Sequence, residues 1–160
     1  MLVSALPAAL DGLKLRAELA AALGEKGWTD LPARQAAITR IKDAIAAGRE
    51  AASDKLRDAT GGLEAARFLS GVMNATLAAV FDSVAVGHGE AGQEISLTAI
   101  GGYGAGELAP RSDIDLLFLK PKQARPSHDQ FLEQLVQVLW DCGLDIGGGR
   151  GRRRHDGTVC

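Results

Sequence analysis

The chain has 160 residues, 46% hydrophobic and 24% charged, enough apolar material to pack one domain. Its formal charge of −2 and pI near 5.9 argue against a general nucleic-acid binder, which carries a strong basic excess. Aromatics make up only 4%, so the core must be built mostly from Ala, Leu, Ile and Val.

The start, MLVSALPAALDGLKLRAEL, lacks a basic n-region and its apolar run ends at Asp11, so no signal peptide is expected. No apolar stretch is read as approaching the ~20 residues of a membrane span, and no membrane partner is expected. A first helix runs through DGLKLRAELAAALGEKGW and stops near Gly24 and Gly27. A second follows in TDLPARQAAITRIKDAIAAGREAASDKLRDATGG, with Thr29 or Asp30 as cap and Pro32 tolerated in the first turn. Ile38, Ile41 and Ile45 share one of its faces, and Gly61 and Gly62 stop it. A third helix, LEAARFLSGVMNATLAAVFDSV, presents Leu69, Val72, Met73, Thr76, Leu77 and Val80 as a buried stripe, with Met73 read as core packing.

AVGHGEAGQ reads as a glycine-rich turn carrying a solvated His88. The period then changes. EISLTAI, Glu94 to Ile100, is rich in β-formers and reads as a strand. DIDLLFLK, Asp113 to Lys120, reads as a second, with Asp113, Asp115, Leu117 and Leu119 on one face and Ile114, Leu116 and Phe118 on the other. Both faces are apolar beyond the first positions, as in an interior strand covered on both sides. SHDQFLEQLVQVLWDCG is a helix with Ser127 and Gln130 at capping-box spacing, an exposed His128 in its first turn, and an inner stripe of Leu132, Leu135, Val136 and Leu139. Leu144 to Ile146 begins a third strand.

From Gly147 to Cys160 the composition breaks into GGGRGRRRHDGTVC, read as a disordered tail. No aromatic interleaves its arginines, so no nucleic-acid site is expected there. Cys142 and Cys160 have no metal-type spacing and form no disulfide framework, which points to a reducing, cytoplasmic setting.

The chemistry lies in GGYGAGELAPRSDIDLLFL. Residues two apart on a strand share a face, so Asp113 and Asp115 converge on one small volume. Two carboxylates that close repel unless a cation sits between them, and Mg²⁺, with substrate phosphates completing its shell, suits such hard oxygens. Upstream, Gly101, Gly102, Gly104 and Gly106 let the backbone approach a phosphate closely. Taken singly, each feature has a bland reading in which Asp113 caps the preceding turn and Asp115 pairs with Arg111.

In order, Gly101-Gly102, ten residues, then Asp113-Ile114-Asp115 resembles the nucleotidyltransferase superfamily of the DNA polymerase β type. The fuller string is closer still to bacterial PII-protein uridylyltransferase/uridylyl-removing enzymes, a likeness extending to about Gly147. It implies an α+β fold: a helical segment at 1–84, a partial polymerase β-type nucleotidyltransferase core with a short mixed sheet at 85–146, and the tail at 147–160. It also implies that Gly101, Gly102, Gly104, Gly106 and Ser112 hold the triphosphate of UTP. Asp113 and Asp115 are then the catalytic, Mg²⁺-binding carboxylates, and UMP passes from UTP to a tyrosine of the PII nitrogen-signalling protein.

This chain departs from that pattern in three places. Ala105 stands where the family reads Arg, and no acid follows Asp145 except Asp156, so the usual third carboxylate is missing. The family continues into a metal-dependent hydrolase domain and ACT domains, replaced here by the Gly/Arg tail. A truncated or frameshifted product of weak or no activity is therefore expected. The rival readings are a protein adenylyltransferase of the same superfamily and a non-catalytic nucleotide-binding or regulatory module.

Overall fold

The computed structural model describes residues 12–57 and 61–147. Three helices come first: α1 (Gly12–Leu23), α2 (Leu31–Arg57) and α3 (Gly62–Ala85). A short helix α4 (Glu90–Glu94) leads into β1 (Ser96–Ala99), then the single turn α5 (Gly101–Gly104), β2 (Ile114–Leu119), α6 (Pro126–Asp141) and β3 (Ile146–Gly147). The fold is α+β, as the sequence led one to expect.

Local chemistry explains the helix starts and stops. Gly24 ends α1 in the left-handed region at φ 50°. Asp30 caps α2, its carboxylate accepting the Ala33 N–H at 3.1 Å. The expected stripes of α2 and α3 are buried, with Ile41 and Val80 fully enclosed and Met73 at 1% exposure. By length and composition α3 is apolar enough to cross a membrane, which corrects the expectation that no stretch approached that size. In this fold it is the central helix, packed against both α1 and α2. Its apolar length is thus used by neighbours on two sides.

The sheet is mixed, in the order β1-β2-β3. β1 runs antiparallel to β2, pairing Leu97 with Phe118 and Ala99 with Leu116. β3 runs parallel to β2, pairing Ile114 with Ile146 and Asp115 with Gly147, so pairing reaches the residue with which the tail was expected to begin. The remainder of that tail, with Cys160, lies outside the described residues, as do residues 1–11 and 58–60. Ile114 and Leu116 enter the common apolar cluster with residues of α1, α2, α3 and α6. Their alternates Asp115, Leu117 and Leu119 are only half-buried. The expectation of a sheet covered on both faces is therefore corrected: among the described residues, one face carries the core.

α6 is also rotated from its expected setting. Its buried residues are His128, Phe131, Leu135, Val138 and Leu139, while Leu132 and Val136 are half-buried. The Phe131 ring meets the edge of Phe81 on α3 at 5.1 Å, which turns that side of the helix inward. His128, expected at the surface, is fully buried. Its Nδ1 accepts the Arg125 N–H at 2.8 Å, so Nε2 carries the proton and donates to Glu94 Oε2 at 2.7 Å. His128 thus caps α6 in place of the expected Ser127 and Gln130. His88 is likewise no free loop residue: its Nε2 donates to Gln134 Oε1 at 2.5 Å and its ring lies edge-on to Phe131.

Two carboxylates tie distant elements together. Arg34 of α2 bonds Asp141 at the end of α6, and Gln137 adds a second donor at 2.9 Å. The Arg34 guanidinium holds the Asp141 carboxyl below its ordinary 3.8, and the His128 hydrogen bond, aided by Arg125, holds Glu94 below its ordinary 4.5. A carboxyl whose folded pKa is depressed stabilises the fold above its unfolded value, and that stabilisation is lost as the pH falls through the folded one. Urea denaturation is therefore expected to show stability declining from about pH 4.5 downward. Asp141→Asn should lower stability at neutral pH, where the charged contact with Arg34 is present in the parent chain, and flatten the decline in acid. An unchanged acid slope in the variant would show that the Arg34 contact does not couple to folding.

Candidate functional site

β1 delivers the chain into α5, one backbone bond continues its antiparallel pairing with β2, and another closes the end of α5. The Ile100 N–H donates to the Asp115 carbonyl at 3.0 Å, and the Glu107 N–H donates to the Gly102 carbonyl at 2.9 Å. The backbone at Gly101 has φ 63°, in the left-handed region that costs other residues about 1–2 kcal/mol. A Cβ at Gly101 would also stand 2.8 Å from Asp115 Oδ2. The Asp115 carboxylate therefore occupies the very space that a side chain at 101 would fill. At Gly104 a Cβ would meet the Ala99 carbonyl oxygen at 2.7 Å, so this glycine lets α5 fold back onto β1.

Gly102 differs. A Cβ there would find its nearest neighbour, the Glu107 carbonyl, at an ordinary 3.7 Å, and its φ is not in the left-handed region. Folding does not require glycine at this position. The first N–H groups of α5, at residues 101–103, have no acceptor within the helix by construction, since its first i→i−4 bond is Gly104 to Ile100 at 2.9 Å.

Ser112 and Asp113 lie on the approach to β2. The Ala109–Ser112 turn is closed by the Ser112 N–H and hydroxyl, both donating to the Ala109 carbonyl, at 3.1 and 2.9 Å. Ser112 is thus spent on its own turn. Asp113 is exposed just before β2, and strand alternation gives it the side of Asp115. The structure brings Asp115 directly against Gly101, with Gly102 next along the turn. Gly104 and Gly106 shape the turn, Gly106 at φ 75°, and Ser112 shapes the next one. Neither Asp113 nor Asp115 forms an ion pair among the described residues, so the bland pairing of Asp115 with Arg111 is absent.

Three residues that position this turn were not singled out from the sequence. Tyr103 is buried, and its hydroxyl donates to Asn74 Oδ1 on α3 at 2.6 Å. Burial raises the Tyr103 phenol above its usual range, so it stays a donor at any physiological pH. One helical turn earlier on α3, the buried Ser70 hydroxyl accepts the Leu108 N–H at 3.0 Å and donates to the Ala66 carbonyl. The glycine segment is thereby hung from α3 at two points, Tyr103 within it and Leu108 just beyond it. The available signal was a polar pair at i and i+4 beside the apolar stripe of α3.

A Mg²⁺ ion takes hard oxygen donors, and two carboxylates plus phosphate and water oxygens would suit it. Among the described residues no group of three or more His, Cys, Asp or Glu could hold a metal. The site therefore supplies two carboxylates at most and leaves the other positions to a ligand.

Known proteins resemble this chain along most of its length. A bifunctional uridylyltransferase/uridylyl-removing enzyme of Phenylobacterium zucineum is 40% identical over 143 residues, 86% of this chain and 15% of that protein. Enzymes of the same name from two strains of Caulobacter vibrioides are 38% identical over the same length and shares. The resemblance seen in the glycine and aspartate motifs is thus borne out, and the chain spans about 15% of the length of these curated relatives. No protein-family model and no solved structure matches the chain.

The geometry separates two adjacent glycines. Gly101→Ala is expected to lower stability by about 1–2 kcal/mol or more, since strain at φ adds to collision with Asp115. Gly102→Ala should leave stability unchanged or raise it by up to about 1 kcal/mol. Chemical denaturation of the two variants decides the matter, and equal losses would mean that the turn is held differently from the geometry described.

Proposed function

We propose that residues 101–115 form the nucleotide- and metal-binding part of a uridylyltransferase region. In this reading UTP is the donor, Mg²⁺ the cofactor and a tyrosine of the PII signalling protein the acceptor. One observation carries it: the Asp115 carboxylate is seated against a glycine turn whose second glycine, Gly102, the fold itself does not require. A missing side chain that folding does not need leaves room for something to approach the backbone, and a carboxylate beside it suits a metal-bound phosphate. The names of the relatives support the reaction class.

The roles follow from chemistry. Gly101 and Gly102 would offer N–H donors to phosphate oxygens without side-chain obstruction. Asp115 would be a metal ligand already oriented by its seat on Gly101, and Asp113 would add the second carboxylate from the same side. Mg²⁺ held there would neutralise triphosphate charge. Tyr103, Asn74 and Ser70 would keep the turn in place without touching the nucleotide.

One specific feature favours a non-catalytic nucleotide-binding module instead. Ala105 stands where a guanidinium would assist, which makes the described site better suited to binding than to in-line transfer.

Calorimetry on the full chain is expected to detect Mg²⁺-dependent UTP binding that is lost in Asp113→Ala and in Asp115→Ala, because each removes hard-ion ligands and leaves the apolar strand intact. Equal affinity in the double variant would make both aspartates structural. Turnover is a separate matter. With one electrostatic stabiliser typically worth about 10²–10³ in rate, and Ala105 in place of a guanidinium, the 160-residue chain should transfer UMP to PII at or below the detection limit. Robust labelling of PII by the purified chain would overturn that expectation.

A further inference from the structure

A groove of about 410 Å³ runs between α3 and β1, on the side of the sheet that carries Leu116 and therefore opposite the Asp115 side chain. Leu77, Ala78 and Phe81 line it from α3, Leu97 and Ala99 from β1, and Tyr103 from the glycine turn. Among the described residues that line it, Asp82 alone is charged, and its carboxylate is taken by Arg16 of α1 at 2.6 Å. β1 is also an edge of the sheet. Because the Ile100 N–H bonds across to Asp115, the alternate residues Leu97 and Ala99 turn their backbone groups to the outer side of that edge. An apolar groove beside an open strand edge is a surface that needs a cover.

The chain itself supplies a candidate cover. Residues 2–10, LVSALPAAL, carry no charge and have Ser4 as their one polar side chain. They join α1 at Gly12, which meets α3 at the rim of the groove: a Cβ there would stand 3.3 Å from the Ala75 Cβ. Ala75 adjoins Asn74 in sequence and lies just under one helical turn before Ala78, and both of those line the groove. Residues 74–82 of α3 extend about 12 Å along the groove. At about 3.3 Å per residue, residues 2–10 reach about 30 Å, enough to turn back at Gly12 and run that length. A segment tethered at the rim is held at about millimolar effective concentration, so docking costs it little entropy of association.

We propose that the groove between α3 and β1 is the docking surface for residues 2–10 of this same chain, whose apolar side chains pack against Leu77, Phe81 and Leu97. The match is one of chemistry: an uncharged, leucine-rich segment meets a groove whose single carboxylate is already paired. Tyr103 and Asn74 also border the groove, and their hydrogen bond is one of the two from which the glycine turn hangs. The docked segment then shields that bond from water and stiffens the turn from behind. The docking stands apart from the uridylyltransferase reading, since it invokes neither nucleotide nor metal.

The test uses the full chain, in which Tyr103 is the only tyrosine, so its ring signals in nuclear magnetic resonance report on the groove without ambiguity. Leu6→Asp is expected to shift those signals and to lower the folding equilibrium constant about tenfold or more in urea denaturation. Val86→Ser, which changes an exposed apolar residue beyond α3, should do neither. In an Ala78→Glu background the groove is already closed to an apolar segment, so Leu6→Asp should cost less than about twofold. A measurement that needs no groove variant is a spin label on Ser4→Cys in a Cys160→Ser chain. It should broaden Tyr103 and Leu97 more than Leu23, at the far end of α1. Leu6→Asp without effect on Tyr103 and stability, equal penalties in both backgrounds, or broadening that spares Tyr103 and Leu97 each overturn the proposal. So does a Tyr103 signal that depends on protein concentration and ignores Leu6→Asp, which would make a second copy of the chain the occupant.

Discussion

The attachment of the glycine turn to α3 is the constraint on which the rest of the site depends. Ser70 and Asn74 lie four residues apart, on one side of that helix, and take hold of Leu108 and Tyr103. Residues 103 and 108 lie within the connection between β1 and β2 and flank residues 104–107, so that stretch is held at two points. The bonds involve groups that are mostly withdrawn from water, where an unmade hydrogen bond costs about 1–3 kcal/mol. A loop of small residues without such anchors would sample many conformations, because glycine restricts the backbone least. Here the loop is rich in glycine and yet has one geometry, imposed from the helix beneath it.

Strand register supplies the second half of the site. Pairing Ala99 with Leu116 brings Ile100 beside Asp115, and their backbones bond. The Asp115 side chain then falls on Gly101, and the absence of a Cβ there makes room for it. A slip of one residue would turn Asp115 into the core and Leu116 out of it, since neighbouring strand positions face opposite sides. The burial of Ile114 and Leu116 in the apolar cluster therefore protects the orientation of a carboxylate on the far face. Core packing and site chemistry are enforced by one register.

The helices do more than shield the sheet. A single cluster joins Leu15, Ile41, Leu77, Ile114 and Leu139, so segments distant in sequence share one interior. Arg34 reaches Asp141 across it, and Arg16 of α1 bonds Asp82 of α3 at 2.6 Å. Burial also leaves Cys142 inert, its thiol pushed up to about 12 and thus protonated at neutral pH. His128 shows how a titratable residue can be wholly structural, with one ring nitrogen ending a helix and the other bonded to Glu94.

Periodicity and punctuation were legible in the sequence. The α2 and α3 stripes, the glycine stop of α1, the Asp30 cap, both main strands and the spacing of Gly101, Gly102, Asp113 and Asp115 could all be read there, because each depends on residues near one another along the chain. The resemblance to uridylyltransferase enzymes was carried by the same short string. Other features required the tertiary structure. The rotation of α6, the burial of His128, the Gln134 contact of His88 and the open second face of the sheet depend on which element arrives from elsewhere, and local pattern does not encode that. Gly101 and Gly102 look alike in sequence, yet one is required by a carboxylate fourteen residues later and the other is not. Ser70, Asn74 and Tyr103 are ordinary helix and loop residues until the fold brings them within hydrogen-bonding distance. Hydrophobic period is a property of a segment, whereas a hydrogen bond across 29 or 38 residues is a property of the packed whole.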